Sequence, residues 1–321
     1  EDAIIAELFA PLATAAGADA LADDAASFPA GEGEVVVTCD ALAANVHFFE
    51  DDPAGAIAQK ALRVNLSDLA AKGAEPFGYV LALALSQSVS TDWVRAFAAA
   101  LAEDHTRYGV DLLGGDTLRA SPGGGTTVAI TAFGRTDAGK TVRRRSARPG
   151  DLLVVTGAIG DGALGLLARQ DRLPAALDQR HKEALRARYL WPEPPVVAWP
   201  AVRAHASAAM DISDGLLGDC AKLCRAAGVG AVIDLSAVPL SDAVRAAIAA
   251  DPGALDVAIT GGDDYQILAA VRSSEVADYC RALGDVGARG TVIGEIVSGS
   301  TVALTDGGEA ASVQDRRFQH F

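Results

Sequence analysis

Asp24, Asp40, Asp68, Asp116, Asp211 and Asp214 are the residues of this sequence best placed to do chemistry. Asp40 follows the apolar run EVVVT, and Asp116 follows Gly114 and Gly115. Asp211 and Asp214 flank Ser213 just before a helix-forming segment, and Asp24 lies in the loop-like LADDAASF. Asp68 belongs to ALRVNLSDLAAKGA, where Leu62, Leu66, Leu69 and Gly73 recur at helical spacing. That spacing places Asp68 at the edge of a buried stripe. Each position also has an ordinary reading. Asp68 and Lys72 are one turn apart, and such a surface pair is worth about 0.3–0.5 kcal/mol. Ser213 and Asp214 suit a helix cap, and Asp116 suits a turn. Six ordinary readings in one chain are a poorer account than one shared role. Carboxylates at strand ends and helix starts, flanked by glycine, let a ligand approach the backbone closely. The ion that fits is Mg²⁺, which takes oxygen ligands from one or two carboxylates and from substrate phosphates. No Cys/His group has zinc spacing.

The elements that must position these residues alternate between strand and helix. A helix is expected over residues 4–16 and a strand over 34–38, ending just before Asp40. The helix carrying Asp68 begins after Pro53 and stops at Gly73. Residues 77–84 read as a buried strand. Ser90 or Thr91 caps a helix that ends at Gly109. A short strand finishes at Gly114-Gly115-Asp116-Thr117, and residues 126–134 form another. The basic, punctuated TDAGKTVRRRSARPGD marks a change of composition, and the domains are set at 1–136 and 137–321. The second half reads as strand LLVVTG, a helix from Asp161, helices on both sides of Pro195, the loop MDISDG and a helix to Ala227. A strand at 232–235, a further helix, TGGDDYQILAAV, a helix from Ser274 and the strand TVIGEI complete it. The fold class is α/β (α+β) in two parts.

Composition excludes several functions. The net charge of −15 argues against nucleic acid as a partner, because phosphate contacts need a basic surface. A nucleotide is still compatible where divalent cations lie between protein and phosphates. No run of eighteen uncharged apolar residues suggests a membrane span. The opening EDAIIAELF is acidic and unlike a secretory leader. Cys39, Cys220, Cys224 and Cys280 are too scattered for a disulfide framework, and the cytoplasm is the expected compartment. Gly160-Asp-Gly162-Ala-Leu-Gly165 fits the dinucleotide fingerprint. The second strand with an acidic residue that the fingerprint requires is missing from the helical and proline-rich segment that follows. No phosphate-binding G-x-x-x-x-G-K-[ST] loop occurs.

VTCDALAANVHF, ALRVNLSDLAAKGAEP, LLGGDTLR, RRSARPGDLLVVTG, MDISDGL and TGGDDYQIL occur in this order. In these motifs the chain resembles the thiamine-monophosphate kinase family, part of the aminoimidazole ribonucleotide synthetase-like superfamily. The resemblance runs from LADDAA to the terminal FQHF. It implies two α/β domains, the N-terminal ones pairing in a homodimer, with ATP bound where the domains meet. It implies transfer of the γ-phosphoryl group of ATP to thiamine monophosphate. By motif position Asp24, Asp40, Asp68, Asp116, Asp211 and Asp214 would hold several Mg²⁺ ions, with Thr38 and Cys39 beside metal. Gly115, Asp116, Arg144 and Ser213 would touch ATP, and His47, Asp263 and Phe318 would face the thiamine phosphate. Asp40, Asp116, Arg144 and Asp211 would carry the transfer itself. Three positions depart from the family pattern. Cys39 replaces Thr, which leaves the backbone carbonyl to serve there; Asp263 replaces Glu; and Asn45 replaces a glycine before His47.

An acceptor phosphate monoester has a second pKa of about 6 and is already ionised at neutral pH. A strong base is unnecessary, and direct in-line transfer governed by positioning and charge is expected. Two other readings stand beside this one. The first is a synthetase of the same superfamily acting on a purine-pathway amide or amidine. The second is a nucleotide sensor without catalysis, against which the full set of six aspartates argues.

Overall fold

The computed structural model describes residues 5–14 and 31–314. Asp24 and Phe318 lie outside the described residues. The chain divides into two compact units, one of residues 1–69 and 74–139, the other of residues 70–73 and 140–321.

In the first unit, a short π-helical turn Ile5–Phe9 leads into one 3₁₀ turn Ala10–Leu12. The continuous helix expected over 4–16 is not formed across these residues. Pro11 has no N–H with which to extend an α-helical ladder. Strand β1 (Glu34–Ala43) is followed by helix α1 (Ala54–Ala71), β2 (Glu75–Leu85), α2 (Thr91–Tyr108), β3 (Asp111–Arg119) and β4 (Thr127–Thr136). The order across the sheet is β1-β4-β2-β3, antiparallel except between β2 and β3. Helix α2 starts as expected: Ser90 Oγ accepts from the Trp93 N–H at 3.2 Å, and Gly109 closes it at φ +67°. One sheet face is core, with Tyr79, Leu81, Leu83 and Leu85 buried. On the other, Val35, Val37 and Leu118 are 41, 56 and 52% exposed.

Two boundaries differ from expectation in a way that bears on the site. β1 runs on through Asp40 to Ala43, because β4 continues to pair with it as far as Thr127. β3 runs through Asp116 to Arg119, because it pairs in parallel with β2 as far as Leu85. Asp40 and Asp116 are therefore inside strands, not at their ends.

The second unit comprises β5 (Asp151–Thr156), α3 (Asp161–Arg169), α4 (Gln179–Leu190), α5 (Trp199–His205), β6 (Ala206–Asp211), α6 (Leu216–Ala227), β7 (Gly230–Asp234), α7 (Asp242–Ala250), α8 (Ala254–Thr260), β8 (Ile267–Arg272), α9 (Val276–Asp285), β9 (Gly290–Val297), β10 (Val302–Asp306) and β11 (Glu309–Ala311). Its strands form one seven-stranded sheet in the order β11-β10-β7-β9-β5-β8-β6. Both faces of the central strands are buried, which explains their unbroken apolar runs. Leu153, Val155, Met210 and Leu268 face one core with Leu216 and Leu223 of α6. Val154, Ala209, Ala269 and Val271 face the other with Tyr279 and Leu283 of α9, joined by Ala70 and Ala71 from the end of α1. Cys220 and Cys224 are buried in the first of these cores. Among the described residues, no helix is long and apolar enough to cross a membrane.

Candidate functional site

The first unit gathers one group of the expected residues around β1 and α1. Thr38 Oγ1 donates to Asp68 Oδ2 at 2.5 Å, and the Asp40 backbone N–H donates to Asn65 Oδ1 at 3.0 Å. Asn65 in turn donates to the Ala61 carbonyl at 2.9 Å. The stripe Ala61, Asn65, Asp68 along α1 is thus spent on holding β1. Successive side chains alternate across a strand, so Cys39 points away from Thr38 and Asp40, toward the face of Val35 and Val37. A contribution from Cys39 to the Asp68 group falls to its backbone.

Beyond β1 the chain turns through Asn45 at φ +63°. This left-handed conformation suits the glycine that the family pattern implies there, and asparagine is among the few other residues that adopt it readily. The turn seats His47: its Nδ1 accepts the Ala43 N–H at 3.1 Å, and its carbonyl accepts from Lys60 Nζ at 3.3 Å. The ring proton is therefore on Nε2, which leaves that nitrogen as a donor.

Gly115 and Asp116 lie on the opposite edge of the sheet. Asp40, Ile130, Leu81 and Gly115 form one row, and Ala41, Ala129, Ala82 and Asp116 the next. Three strand spacings, about 14 Å, separate Asp40 from Gly115 along the sheet. A Cβ on Gly115 would come within 2.0 Å of the Leu81 carbonyl oxygen. Packing alone therefore demands glycine at that position.

The second unit gathers the remaining residues more tightly. Asp211 ends β6 and is buried, Ser213 is half-buried and Asp214 is exposed. The loop that holds them is anchored by Asp219, a residue of α6 that is fully buried. Asp219 Oδ2 accepts the N–H groups of Ser213 (3.0 Å) and Asp214 (2.8 Å). Its Oδ1 accepts from Lys222 Nζ at 2.7 Å, and Lys222 also bonds Asp214. Burial pushes the Asp219 carboxyl up, with Lys222 pulling the other way. Burial lowers the Lys222 ammonium, but the bonds to Asp214 and Asp219 outweigh it and the net shift is upward. The turn Arg144–Ser146 packs against α6 and β6, on either side of this loop.

Against the Ser213 loop lies the segment from Thr260 to Tyr265. The Asp263 N–H donates to the Ser213 carbonyl (3.0 Å) and the Tyr265 N–H to the Ile212 carbonyl (2.8 Å). Cβ atoms on Gly262 and Gly215 would lie 2.0 Å from the Ser213 oxygen and 2.4 Å from the Thr260 oxygen. The two loops touch backbone to backbone, which is why both are glycine-bearing. Asp263 and Tyr265 are left-handed at φ +71° and +51°. Between them Asp264 is buried, and its carboxylate accepts the N–H groups of Gly160 (2.7 Å) and Gly162 (2.9 Å) at the start of α3. Burial pushes Asp264 up to about 8, against the pull of those two N–H groups. The G-x-G-x-x-G pattern that resembles a dinucleotide fingerprint thus binds a carboxylate of the protein itself. Gly165, its last glycine, is needed because a Cβ would meet the Leu185 carbonyl of α4 at 2.3 Å.

Asp219 and Asp264 went unread in the sequence. The only signal available was a second acidic residue inside each motif, DISDGLLGD and TGGDD. Among the described residues, no three His, Cys, Asp or Glu side chains gather closely enough to form a protein-only metal cage. The donors present are all oxygen, and Asp40, Asp116 and Asp214 are exposed. That combination fits an ion that keeps waters and phosphate oxygens among its ligands, as Mg²⁺ does.

Residues 22–136 match the family described as AIR synthase related protein, N-terminal domain, and residues 148–307 match its C-terminal domain. A thiamine-monophosphate kinase of Caulobacter vibrioides is 42% identical over 287 residues, covering 88% of this chain and 80% of that one. Among solved structures, the thiamine-monophosphate kinase of Stenotrophomonas maltophilia K279a superposes with a TM-score of 0.81 at 37% identity, covering 91% of each chain. A structure described as AaThiL complexed with AMPPCP and TMP has a TM-score of 0.79 at 26% identity, over 93% of this chain and 91% of that one. Both halves of the AIR synthase related pattern, and relatives of one activity along most of its length, make this chain a member of the thiamine-monophosphate kinase family.

Proposed function

We propose that this protein transfers the γ-phosphoryl group of ATP to thiamine monophosphate, giving thiamine diphosphate and ADP. The observation that carries this reading is the backbone pairing of two loops. The loop of Asp211, Ser213 and Asp214, assigned to nucleotide and metal, is hydrogen-bonded to the loop of Asp263, assigned to the thiamine phosphate. In this reading donor and acceptor are served by two loops joined backbone to backbone, and a relative of the same fold is described in complex with AMPPCP and TMP.

The acceptor dianion needs little help from a base. The difficulty is bringing it to a triphosphate beside several aspartates. Mg²⁺, held by Asp40, Asp68, Asp211 and Asp214 with Asp24, Asp116 and the Thr38–Cys39 backbone contributing, would neutralise the phosphate oxygens. Arg144 adds a fixed positive charge, and Ser213 and Gly115 position the nucleotide. His47 offers its Nε2 proton, Asp263 its carboxylate and Phe318 its ring to the thiamine phosphate. Transfer is direct and in line, without a phosphoenzyme.

Two copies pair through the sheet face bearing Val35, Val37 and Leu118, whose exposure is high for such residues. Cysteines that are free among the described residues suit a cytoplasmic location. Product analysis with ATP, Mg²⁺ and thiamine monophosphate tests the reaction. Thiamine diphosphate should form in proportion to ADP, and formylglycinamidine ribonucleotide should not be turned over. Turnover of the purine-pathway compound instead would reject the reading, and label retained on the protein from γ-labelled ATP would reject direct transfer.

A further inference from the structure

Asp264 is buried in the second unit, and nothing in the proposed reaction uses it. Its two carboxylate oxygens are both occupied by backbone, Oδ2 by the Gly160 N–H and Oδ1 by the Gly162 N–H. These two donors lie about a hundred residues away in sequence, at the start of α3. The residues on either side of Asp264 are left-handed, Asp263 at φ +71° and Tyr265 at φ +51°. A bulky side chain such as tyrosine rarely adopts that conformation, and it persists only where surroundings over-determine it. Here the Tyr265 hydroxyl donates to Asp263 Oδ1 at 3.1 Å, linking the two residues that flank Asp264. From the other side, Gly162 lies directly under Asp263. A Cβ added to Gly162 would stand 2.3 Å from the Asp263 carbonyl oxygen and 2.9 Å from its Cβ.

We propose that Asp264 is a positioning residue for the thiamine phosphate: by gripping the Gly160 and Gly162 amides it locks the Thr260–Tyr265 segment onto the start of α3 and so aims the Asp263 carboxylate. This inference rests on the reading of Asp263 as the substrate carboxylate. It adds the part that decides where that carboxylate points. It also gives a function to the G-x-G sequence, whose glycines let α3 approach the Asp263 backbone.

The test uses the full chain and measures the KM for thiamine monophosphate, the KM for ATP, kcat and the melting temperature. The variants are Asp264→Asn, Gly162→Ala, Asp263→Ala and the double variant Asp263→Ala/Asp264→Asn. The assays are run above about pH 8, where the Asp264 carboxyl is ionised; there an asparagine can accept only one of the two amide protons and faces the other with its own N–H. Asp264→Asn and Gly162→Ala should each raise the KM for thiamine monophosphate roughly tenfold, as expected for a lost hydrogen bond to a charged group. The KM for ATP should stay within about twofold, since the loss concerns only one substrate. In the Asp263→Ala background, Asp264→Asn should add no further rise, because the two residues act through one contact. A multiplicative further rise would overturn the inference while leaving the Asp263 reading intact. So would an equal loss for both substrates, or a lower melting temperature with kinetic constants unchanged. If Asp263→Ala itself leaves the KM for thiamine monophosphate unchanged, the Asp263 reading fails and this inference fails with it. Should Asp264→Asn not fold, Gly162→Ala decides the matter. If neither folds, the contact is a folding element and the positioning role is rejected.

Discussion

At the scale of single residues, the buried Asp219 and Asp264 hold loops, while Asp40, Asp116 and Asp214, proposed as metal ligands, are exposed. The two classes differ in what pH does to them. The Asp264 carboxyl is pushed up to about 8 in the folded protein by burial, from an ordinary 3.8. The folded state therefore binds this proton more tightly than the unfolded chain does. The stabilisation it brings is complete below about pH 4 and is lost as pH rises through about 8. Asp161 and Asp219 are also shifted upward by burial, but both are retained in an Asp264→Asn protein. The difference in melting temperature between wild type and Asp264→Asn should therefore shrink from about pH 5 to about pH 8.5. A difference that grows over that range would contradict the burial argument. Asp40 belongs to the other class. Asp40→Asn should abolish phosphoryl transfer yet leave the melting temperature without Mg²⁺ unchanged or slightly raised, since it removes one negative charge near Asp68. Wild-type turnover by this variant at moderate Mg²⁺ would remove Asp40 from the metal group.

At the scale of elements, the loop before α6 is built on a single buried side chain. Asp219→Ala would strand the Ser213 and Asp214 amides and release Lys222 from one of its two carboxylates. A loss of about 2–3 kcal/mol is expected in urea unfolding, with Asp219→Asn intermediate. A loss near zero would mean that the α6 packing alone shapes the loop. How much of this was legible depends on the range of the forces involved. Helix α2 could be read with both caps, Ser90 and Gly109, because capping is local. Strand β5 was legible because both of its faces are buried. The ends of β1 and β3 were not, since they are set by partners β4 and β2, whose pairing extends past Asp40 and Asp116. The short α8 and the β10–β11 hairpin, which turns at Gly307 and Gly308, lack the length or periodicity that marks an element. The roles of Asp219 and Asp264 were invisible for a related reason: their partners are backbone amides, which leave no mark in the residue alphabet.

At the scale of the whole molecule, the proposed pairing of two copies rests on one face of the four-stranded sheet. Val35, Val37 and Leu118 stand out from it, each more than two-fifths exposed. Replacing Val37 by Asp puts a charge where an apolar contact would form. Such a change should convert a dimer to a monomer in sedimentation experiments, with the melting temperature falling as protein is diluted for wild type but not for the variant. A monomeric wild type at micromolar concentration would refute the pairing.

Helix α1 carries one more lesson. Its first sixteen residues belong to the first unit, while Ala70 and Ala71, both at 0% exposure, complete a core of the second. Modular inheritance, in which domains are shuffled as separate cassettes, requires a cut that harms neither side. A cut near residue 139 is not of that kind. A fragment ending near residue 139 carries away two small plugs, and a fragment beginning at 140 is left with the holes they filled. A fragment beginning at 140 should therefore gain order, read by circular dichroism, when a peptide spanning 66–76 is added in trans.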